Sequence, residues 1–164
     1  MTTDTPARAT GPAATDPGRF LAQSGLQRLE AIATGRQPLS PMLQVLEVAF
    51  HAWAEGHVEM RALPRARFHN FMNMVHGGWA LTLLDTSTGL ASLSTLLPGE
   101  FAPTLETSVK FVRPIVEGTG ELRVFGDVVS RGRRVVTLEG RIEDASGKIY
   151  AHGTSSCLIS SRRG

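Results

Sequence analysis

The feature that most constrains the fold of this chain is one long apolar segment near its middle, WALTLLDTSTGLASLSTLL, which begins directly after a pair of glycines. Its residues are small or apolar, and a Pro-Gly pair stops it, so we predict a helix over residues 77–97. One carboxylate, Asp85, interrupts the segment. Because an ionised group on an apolar helix is costly unless it has a partner or a task, Asp85 is a candidate functional residue.

Segments that alternate between polar and apolar residues lie on both sides of this helix and predict strands. The first two are joined by a turn signal at Glu55 and Gly56, and the last three are joined by short hairpin connections. The predicted strands span residues 42–54, 57–65, 104–113, 121–130, 133–144 and 148–160. One long helix with several antiparallel strands predicts an α+β fold, in which the helix lies against the concave face of a curved sheet.

Length, charge and cysteine content restrict the class of protein. The 164 residues suit one domain. The formal net charge of +2, from 17 Lys and Arg against 15 Asp and Glu, is too balanced for a nucleic-acid-binding protein. The single cysteine, Cys157, excludes an intramolecular disulfide framework and fits a reducing compartment. No apolar run approaches the roughly 18 residues of a transmembrane helix, so we expect no membrane partner and a cytoplasmic protein.

The chain divides into three predicted parts. Residues 1–19 are rich in Ala, Thr, Pro and Gly and lack the apolar core of a secretory signal, so we predict a disordered tail. Residues 20–38 form an N-terminal amphipathic segment with a helix over residues 20–34. Residues 39–161 form the main domain.

The two glycines at the helix entrance suggest a site for negative charge. The first N–H groups of a helix lack intrahelical partners and lie at the positive end of its dipole, and glycines leave them uncovered. Such an entrance suits an oxygen that gains negative charge. Asp85 lies roughly 12 Å along the axis from Gly77, so one carbonyl carbon cannot contact both. If both groups act on one substrate, they come from different copies of the chain, and we predict an obligate homodimer with two equivalent sites.

The segment HNFMNMVHGGWALTLLDTS, followed by PTLETSVKFVRP, resembles the acyl-CoA thioesterases of the hotdog superfamily, in particular the phenylacetic-acid-degradation (PaaI-like) branch. The resemblance covers residues 40–160. It implies the hotdog fold, in which a curved six-stranded antiparallel sheet wraps a long central helix, and it implies dimers that commonly pair into tetramers. It also implies an acyl-CoA substrate and no cofactor beyond the CoA of that substrate.

The resemblance assigns roles to five residues. The thioester-polarising backbone amide falls on Gly77 and the carboxylate on Asp85, while the Asn and His of the motif fall on Asn70 and His76. The hydroxyl that orients water falls on Thr104. In the family the carboxylate and this hydroxyl come from the subunit opposite the glycine, which agrees with the dimer predicted from the length of the helix.

Six further residues are predicted to bind the substrate. Gly78 and Trp79 lie in the first helical turn, beside the expected acyl or pantetheine channel. Guanidinium groups hold phosphates through planar bidentate contacts, so we expect the nucleotide end of CoA at basic residues. The candidates are Arg113, Arg131, Arg133 and Arg134. Solvated surface arginines are the alternative interpretation for all four.

The chain departs from the family pattern around the motif. Phe71 follows the motif Asn where many relatives have Pro, and Asn73 stands where they have Gly, three residues before His76. Because Asn tolerates left-handed backbone better than most residues, we expect the loop to keep its shape. Trp79 replaces a residue that is usually small.

The candidates also have structural interpretations. Asp85 can be a helix carboxylate that is hydrogen-bonded to threonines of its own helix. Asn70 can form an Asx turn, and His76 can satisfy backbone groups at the start of the helix. A threonine that opens a strand, as Thr104 does, is commonplace. Cys157 is interpreted as a packing residue within a strand.

The leading functional prediction is an acyl-CoA thioesterase, in which the Gly77 amide stabilises the oxyanion and Asp85 acts as general base or as nucleophile. A non-catalytic acyl-CoA-binding module on the same fold is the alternative. A dehydratase or hydratase would need a His and an acid placed for proton transfer to carbon, and no acid lies near His76 in the sequence. The five histidines show no metal-ligand spacing, so we predict no metal.

Overall fold

The computed structural model describes residues 16–161 of the chain. Its helices are α1 (Pro17–Leu21), α2 (Gly25–Ala33), α3 (Pro41–Leu46) and α4 (Gly77–Ser94). Its strands are β1 (Ala49–Ala54), β2 (His57–Ala62), β3 (Glu100–Phe101), β4 (Thr104–Phe111), β5 (Leu122–Arg131), β6 (Val135–Glu143), β7 (Ile149–Leu158) and β8 (Ser160–Ser161). Residues 1–15, the greater part of the predicted tail, lie outside the described residues, whereas Asp16 caps α1.

Six strands form one antiparallel sheet in the order β1-β2-β5-β6-β7-β4. α4 packs on this sheet and contacts β2, β4, β5, β6 and β7. The predicted α+β architecture, one long helix against six antiparallel strands, is therefore confirmed. β3 and β8 form a separate pair that was not predicted. β4 lies at an edge of the sheet, so one side of its backbone has no neighbouring strand within residues 16–161.

The hydrophobic core lies between α4 and the sheet. Both layers contribute apolar side chains that are almost completely removed from solvent. These side chains are Leu83 and Leu84 of α4 and Val58, Met60, Leu122, Val124, Val136, Leu138 and Ile142 of the sheet. Full burial of one such side chain stabilises the fold by about 1.5–3 kcal/mol, so this layer fixes α4 on the sheet.

Two facing glycines let α4 approach the sheet closely. Gly126 of β5 is opposite Gly140 of β6, and a Cβ atom on either would contact atoms of α4. A Cβ atom on Gly126 would lie only 2.3 Å from the carbonyl oxygen of Ser87 on α4. At the same point the Ser87 hydroxyl donates to the backbone of β5 at 3.0 Å. The close approach sets the depth of α4, and with it the position of Asp85.

The helix predicted over residues 20–34 is divided in two. Ser24 caps α2, because its hydroxyl accepts from the Gln27 N–H at 3.3 Å and the Gln27 side chain accepts from the Ser24 N–H at 3.0 Å. The Gly25 N–H then donates to the carbonyl of Leu96 at 2.7 Å. α2 therefore packs on the C-terminal end of α4.

A buried arginine completes the C-terminal end of α4. The helix ends at Ser94, earlier than predicted. Arg28 of α2 is 1% exposed, and its guanidinium donates to the carbonyls of Glu100 at 2.9 Å and Leu97 at 3.4 Å. These bonds satisfy carbonyls just beyond the helix, where partners are scarce. Within residues 16–161, no helix combines the length and the apolar character needed to span a membrane.

The prediction of a strand over residues 42–54 is wrong in its first half, where the chain forms α3. Ser40 is the N-cap, and its hydroxyl accepts from the Leu43 N–H at 3.4 Å. Pro41 occupies the first helical position, where a missing N–H has no cost. Glu47, with a left-handed φ of 53°, ends α3 and lets β1 follow. This Ser-Pro start is a signal that the strand prediction overlooked.

Candidate active site

The N-terminal end of α4 leaves one backbone N–H group without a partner. His76 is the N-cap: its Nδ1 accepts from the Gly78 N–H at 2.8 Å, and its carbonyl accepts from the Trp79 N–H at 2.9 Å. No atom of residues 16–161 accepts a hydrogen bond from the Gly77 N–H. Since the first N–H groups of a helix lie at the positive end of its dipole, the Gly77 N–H is the donor open to an anionic oxygen.

Both glycines at this entrance also have a packing role. A Cβ atom on Gly78 would lie 2.9 Å from Nδ1 of His76, so a side chain there would displace the imidazole from the helix end. A Cβ atom on Gly77 would lie 3.1 Å from the ring of Phe111, which ends β4. The two glycines therefore allow close packing at the helix entrance and also leave the Gly77 N–H open.

Asn70 holds the loop before α4 together. Its Oδ1 accepts from the N–H groups of Met72 at 2.8 Å and Met74 at 3.3 Å, and its own N–H donates to the carbonyl of Met74 at 2.7 Å. This is an Asx-turn arrangement, so the structural interpretation of Asn70 holds. Its Nδ2 has no hydrogen-bond partner within the described part of the chain. Asn73 has a φ of 55°, the left-handed conformation expected for an Asn in place of Gly.

Asp85 lies two turns along α4 and is half-buried against β4. Its Oδ1 accepts a hydrogen bond from Thr107 Oγ1 at 3.1 Å, and no group of residues 16–161 donates to its Oδ2. The side chains of Thr82 and Thr88 donate instead to backbone carbonyls of α4. The interpretation in which threonines of the same helix hold the carboxylate is therefore wrong, because the partner comes from β4.

A β-bulge at the start of β4 directs two threonines toward α4. Thr104 is opposite Cys157 and Thr107 is opposite Ser155, with a register shift between the two pairs. Residues directly opposite each other in an antiparallel pair share a face of the sheet, and Cys157 and Ser155 are both buried. Thr104 and Thr107 therefore share the inner face, although simple alternation would place them on opposite faces.

The thiol of Cys157 lies beside these groups but is not activated. Burial raises its pKa, hydrogen bonding to Ser92 and Thr104 acts in the opposite direction, and the charge of Asp85 raises the pKa further. The net effect is a raised pKa, which keeps the thiol protonated at neutral pH. Cys157 is fully buried, in agreement with its interpretation as a packing residue.

α4 keeps the open amide and the carboxylate apart within one chain. The helix is unbroken from Gly77 to Ser94, so Gly77 and Asp85 are separated by roughly 12 Å. The predicted catalytic residues, together with Gly78 and with Thr107 from the structure, fall into two groups. The entrance group consists of Asn70, His76, Gly77 and Gly78, and the carboxylate group consists of Asp85, Thr104 and Thr107.

Three surface hollows meet at the entrance group. The first, of about 500 Å³, lies over the Asn70 loop and reaches Gly77. The second, of about 300 Å³, lies between Gly77 and Arg113. The third, of about 320 Å³, is bordered by His76 and Trp79. The open N–H therefore lies where several concave surfaces join, which is the usual setting of a ligand site.

Three of the predicted substrate-binding residues, Gly78, Trp79 and Arg113, border these hollows. Trp79 is only 5% exposed, and its ring lies 5.6 Å from that of Phe68, so it fills the core and presents little surface to a ligand. Arg113 lines the second hollow and donates to the carbonyl of Ile149 at the start of β7. Arg113 is therefore the predicted phosphate-binding residue that shares a hollow with Gly77.

The other predicted phosphate-binding residues lie at the far end of α4. Arg131 donates to the carbonyl of Thr95 at 3.0 Å and to the carboxylate of Glu100 at 2.9 Å. Thr95 is roughly 27 Å along the helix axis from Gly77. The remaining two, Arg133 and Arg134, are exposed between β5 and β6. These three arginines, the basic turn, are thus remote from the open amide of their own chain.

Thr107 and Ser155 were missed as site residues in the sequence. Thr107 Oγ1 lies 3.0 Å from Ser155 Oγ, and the Ser155 hydroxyl reaches the carbonyl of Glu106 at 3.0 Å. The available signal was a polar residue at an inward position of a strand, which points to a partner within the fold. The bulge that aligns these hydroxyls with Asp85 has no such signal.

Comparison with known proteins gives consistent results. The thioesterase superfamily matches the chain over residues 72–151. A curated relative, a proposed esterase from Saccharolobus solfataricus, is 30% identical over 86 residues, which cover 52% of this chain and 59% of the relative. The chain therefore matches less than two thirds of the length of that relative.

Two solved structures extend the comparison. A structure from Ralstonia eutropha, described as a proposed thioesterase related to phenylacetic acid degradation, is 26% identical with a TM-score of 0.73 and covers 79% of this chain and 98% of that chain. A Streptococcus mutans protein, whose structure contains acetyl-CoA, is 24% identical to this chain with a TM-score of 0.64. The match covers 71% of this chain and 91% of the Streptococcus mutans chain, and it shows a similarity of fold. The resemblance to the phenylacetic-acid-degradation branch is thereby confirmed. The family match and these structures agree that the chain has the hotdog fold of the thioesterase superfamily.

Proposed function

We propose that the protein hydrolyses an acyl-CoA thioester to a free acid and CoA, at two equivalent sites that are each shared by two protomers. Membership of the superfamily supports thioester hydrolysis, and the fold neighbour that contains acetyl-CoA supports a CoA ester as substrate. The observation that carries the proposal is the open Gly77 N–H at the end of the helix that also bears Asp85. The reaction uses no cofactor beyond the CoA of the substrate, and the proposed location is the cytoplasm.

The entrance group receives the thioester carbonyl oxygen. As the nucleophile adds, this oxygen gains negative charge, and one oxyanion-hole donor such as the Gly77 N–H stabilises it by about 3 kcal/mol. His76 occupies the Gly78 N–H, so the oxygen is directed to Gly77. Asn70 uses its Oδ1 within the loop and offers its Nδ2 as a second donor to the substrate or to water.

The site is completed by the three residues of the carboxylate group, Asp85, Thr104 and Thr107, which come from the partner subunit. In the general-base route, Asp85 takes a proton from water while the water oxygen bonds to the carbonyl carbon. The C–S bond then breaks, and the proton is delivered to the departing CoA thiolate. In the nucleophilic route, the carboxylate attacks directly, CoA leaves as the thiolate, and water hydrolyses the mixed anhydride. Both routes need the same two groups on opposite sides of one carbonyl carbon.

The free edge of β4 supports pairing with a second copy of the chain. Leu105 and Phe111 of β4 are more than half exposed, and Leu81 of α4 is partly exposed. Apolar side chains beside an unpaired strand edge favour association. A two-fold axis midway between Gly77 and Asp85 would set the two copies of α4 antiparallel and bring the amide of one opposite the carboxylate of the other. A dimer is thus the smallest complete unit, whether or not dimers pair further.

The same arrangement suggests how CoA lies across the dimer. Thr95, which binds the basic turn, is roughly 15 Å along the helix axis beyond Asp85. In each shared site, the phosphates of CoA are therefore bound by the basic turn of the protomer that supplies Asp85. The extended pantetheine arm connects these phosphates with the thioester. Arg113, which shares a hollow with Gly77, is the alternative phosphate ligand from the other protomer.

Release of CoA from a panel of aryl and aliphatic acyl-CoA esters, followed with a thiol reagent, tests this function. We expect turnover of at least one ester, and a loss of about 10²–10⁴-fold in kcat for Asp85→Ala and Asp85→Asn. Glu139→Gln removes an exposed carboxylate on the outer face of β6 and should keep the wild-type rate. Near-normal rates in both Asp85 variants would contradict the mechanism. Tight binding of every ester without release of CoA would favour the non-catalytic binding module.

A further inference from the structure

We propose that Thr107 is a positioning residue, whose hydroxyl holds the Asp85 carboxylate by Oδ1 and leaves Oδ2 to react with water or with the thioester. The inference rests on the proposed function and names the group that orients its carboxylate. Thr107 and Asp85 belong to the same chain, so this half of the site is assembled before any partner or substrate binds.

The contacts of Asp85 divide its two oxygens. Oδ1 accepts from Thr107 Oγ1 at 3.1 Å, whereas Oδ2 has no hydrogen-bond partner within residues 16–161. A carboxylate held through one oxygen loses rotation about its terminal torsion angle, which is otherwise broad. The free oxygen therefore points in one direction, as a general base or a nucleophile requires.

The Thr107 hydroxyl is itself fixed in orientation. An ionised carboxylate only accepts hydrogen bonds, so Thr107 must donate its single proton to Asp85. Thr107 Oγ1 lies 3.0 Å from Ser155 Oγ, which is buried in β7 and also reaches the carbonyl of Glu106 at 3.0 Å. Because Thr107 gives its proton to Asp85, the single proton of the Ser155 hydroxyl is shared between Thr107 Oγ1 and the Glu106 carbonyl.

Thr107 has a task distinct from that of Thr104. Thr104 lies at the exposed start of β4, where the resemblance gives it the orientation of water. The β-bulge between the two residues lets both face α4, but Asp85 accepts its hydrogen bond from Thr107. Thr107 acts through the carboxylate, and no contact with the substrate is needed.

Substitutions at Thr107 separate positioning from packing. Thr107→Val keeps the shape and removes the donor. Since a hydrogen bond to a charged group is stronger than one between neutral groups, we expect kcat to fall by about ten-fold or more with little change in KM. Thr107→Ser keeps the donor and should retain most of the activity. Thr137→Val, the same replacement at an exposed position of β6, is the matched control. In an Asp85→Ala background, Thr107→Val should have no further effect on the residual rate.

The outcomes distinguish this inference from the proposed function. An active wild-type protein with normal kcat in a folded Thr107→Val variant would overturn the role of Thr107 and leave the function intact. Equal loss in Thr107→Ser and Thr107→Val would also overturn it, because the hydroxyl would then not be the cause. If Thr107→Val does not fold, Thr107→Ala, which also removes the donor, replaces it, and an unchanged kcat there overturns the inference. Failure of the wild-type protein to release CoA from any ester overturns the function, and the inference with it.

Discussion

Replacing Gly126 with alanine tests whether the depth of α4 on the sheet controls the site. The added Cβ atom would lie 2.3 Å from the carbonyl oxygen of Ser87 and 2.7 Å from the backbone nitrogen of Thr88. Because non-bonded heavy atoms are in optimal contact near 3.5 Å, α4 has to withdraw by roughly 1 Å at this point. A gap of about 0.5–1 Å removes a quarter to a half of the contact energy of the atoms that face it.

We expect Gly126→Ala to lose about 2–4 kcal/mol of stability, since overpacking costs about 1–3 kcal/mol and the lost hydrogen bond about 1 kcal/mol. That bond is the one from the Ser87 hydroxyl to the carbonyl of Phe125. For a chain of this size each kcal/mol lowers the melting temperature by about 2–4 °C. The withdrawal also carries Asp85 away from Thr107, so kcat should fall by about ten-fold or more.

Gly89→Ala is the matched control on the same helix. A Cβ atom on Gly89 would meet no atom within 4 Å. Alanine is favoured over glycine inside a helix by about 1 kcal/mol, so this variant should be at least as stable as the wild type, with unchanged kcat. Thermal unfolding by circular dichroism and release of CoA measure the two effects. A Gly126→Ala variant with the wild-type melting temperature and kcat would refute the reasoning.

Three further outcomes are expected. Burial raises the pKa of the Cys157 thiol, so iodoacetamide should modify it only when the chain is unfolded, and rapid labelling of the native protein would contradict its buried position. Burial acts to raise the pKa of Glu59, but the hydrogen bond and charge of Arg123, together with the charge of Arg61, lower it overall. The stability that this ionised carboxylate contributes is therefore present above about pH 4.3 and is lost as the pH falls below that value. In thermal melts Glu59→Gln should be less stable than the wild type at neutral pH and should approach it in acid; a difference that does not change with pH would argue against this. Asn73→Ala should cost about 1 kcal/mol, because its backbone is left-handed, while Asn73→Gly should be close to neutral in denaturant unfolding; equal losses would show that the φ angle is not the cause.

The parts of the site that lie on a regular helix were predictable from the sequence. The spacing of Gly77 and Asp85 along an unbroken helix follows from the rise per residue alone, and α4 begins where the paired glycines predicted. The positions of the six main strands were also predictable, apart from the first half of the strand predicted over residues 42–54, because alternation and turn residues mark them. The dimer inferred from that spacing remains a prediction.

What escaped prediction depends on contacts between distant segments. Simple alternation along β4 gave no sign of the bulge that puts Thr104 and Thr107 on one face. The partner of Asp85 was therefore sought on its own helix, although it lies on β4. Trp79 was assigned to the substrate because of its place beside the glycines, whereas its ring packs on Phe68 in the core. Each of these contacts is set by tertiary packing rather than by local sequence.

The sharing of each site between two protomers is tested most directly by mixing two inactive variants. Gly77→Pro removes the open N–H at a position where proline fits a helix, and His76 already has the extended backbone that precedes proline. Gly77→Ala keeps the N–H and controls for the added carbon atoms. Asp85→Ala removes the carboxylate.

Co-expressed Gly77→Pro and Asp85→Ala chains should form mixed dimers in which one site has the intact amide from one chain and the intact carboxylate from the other. Random pairing makes half of the dimers mixed, each with one intact site of two, so the release of CoA should recover to about a quarter of the wild-type rate. Each variant alone should stay inactive. A mixture that contains mixed dimers, verified with two affinity tags, and yet remains inactive would contradict the shared site.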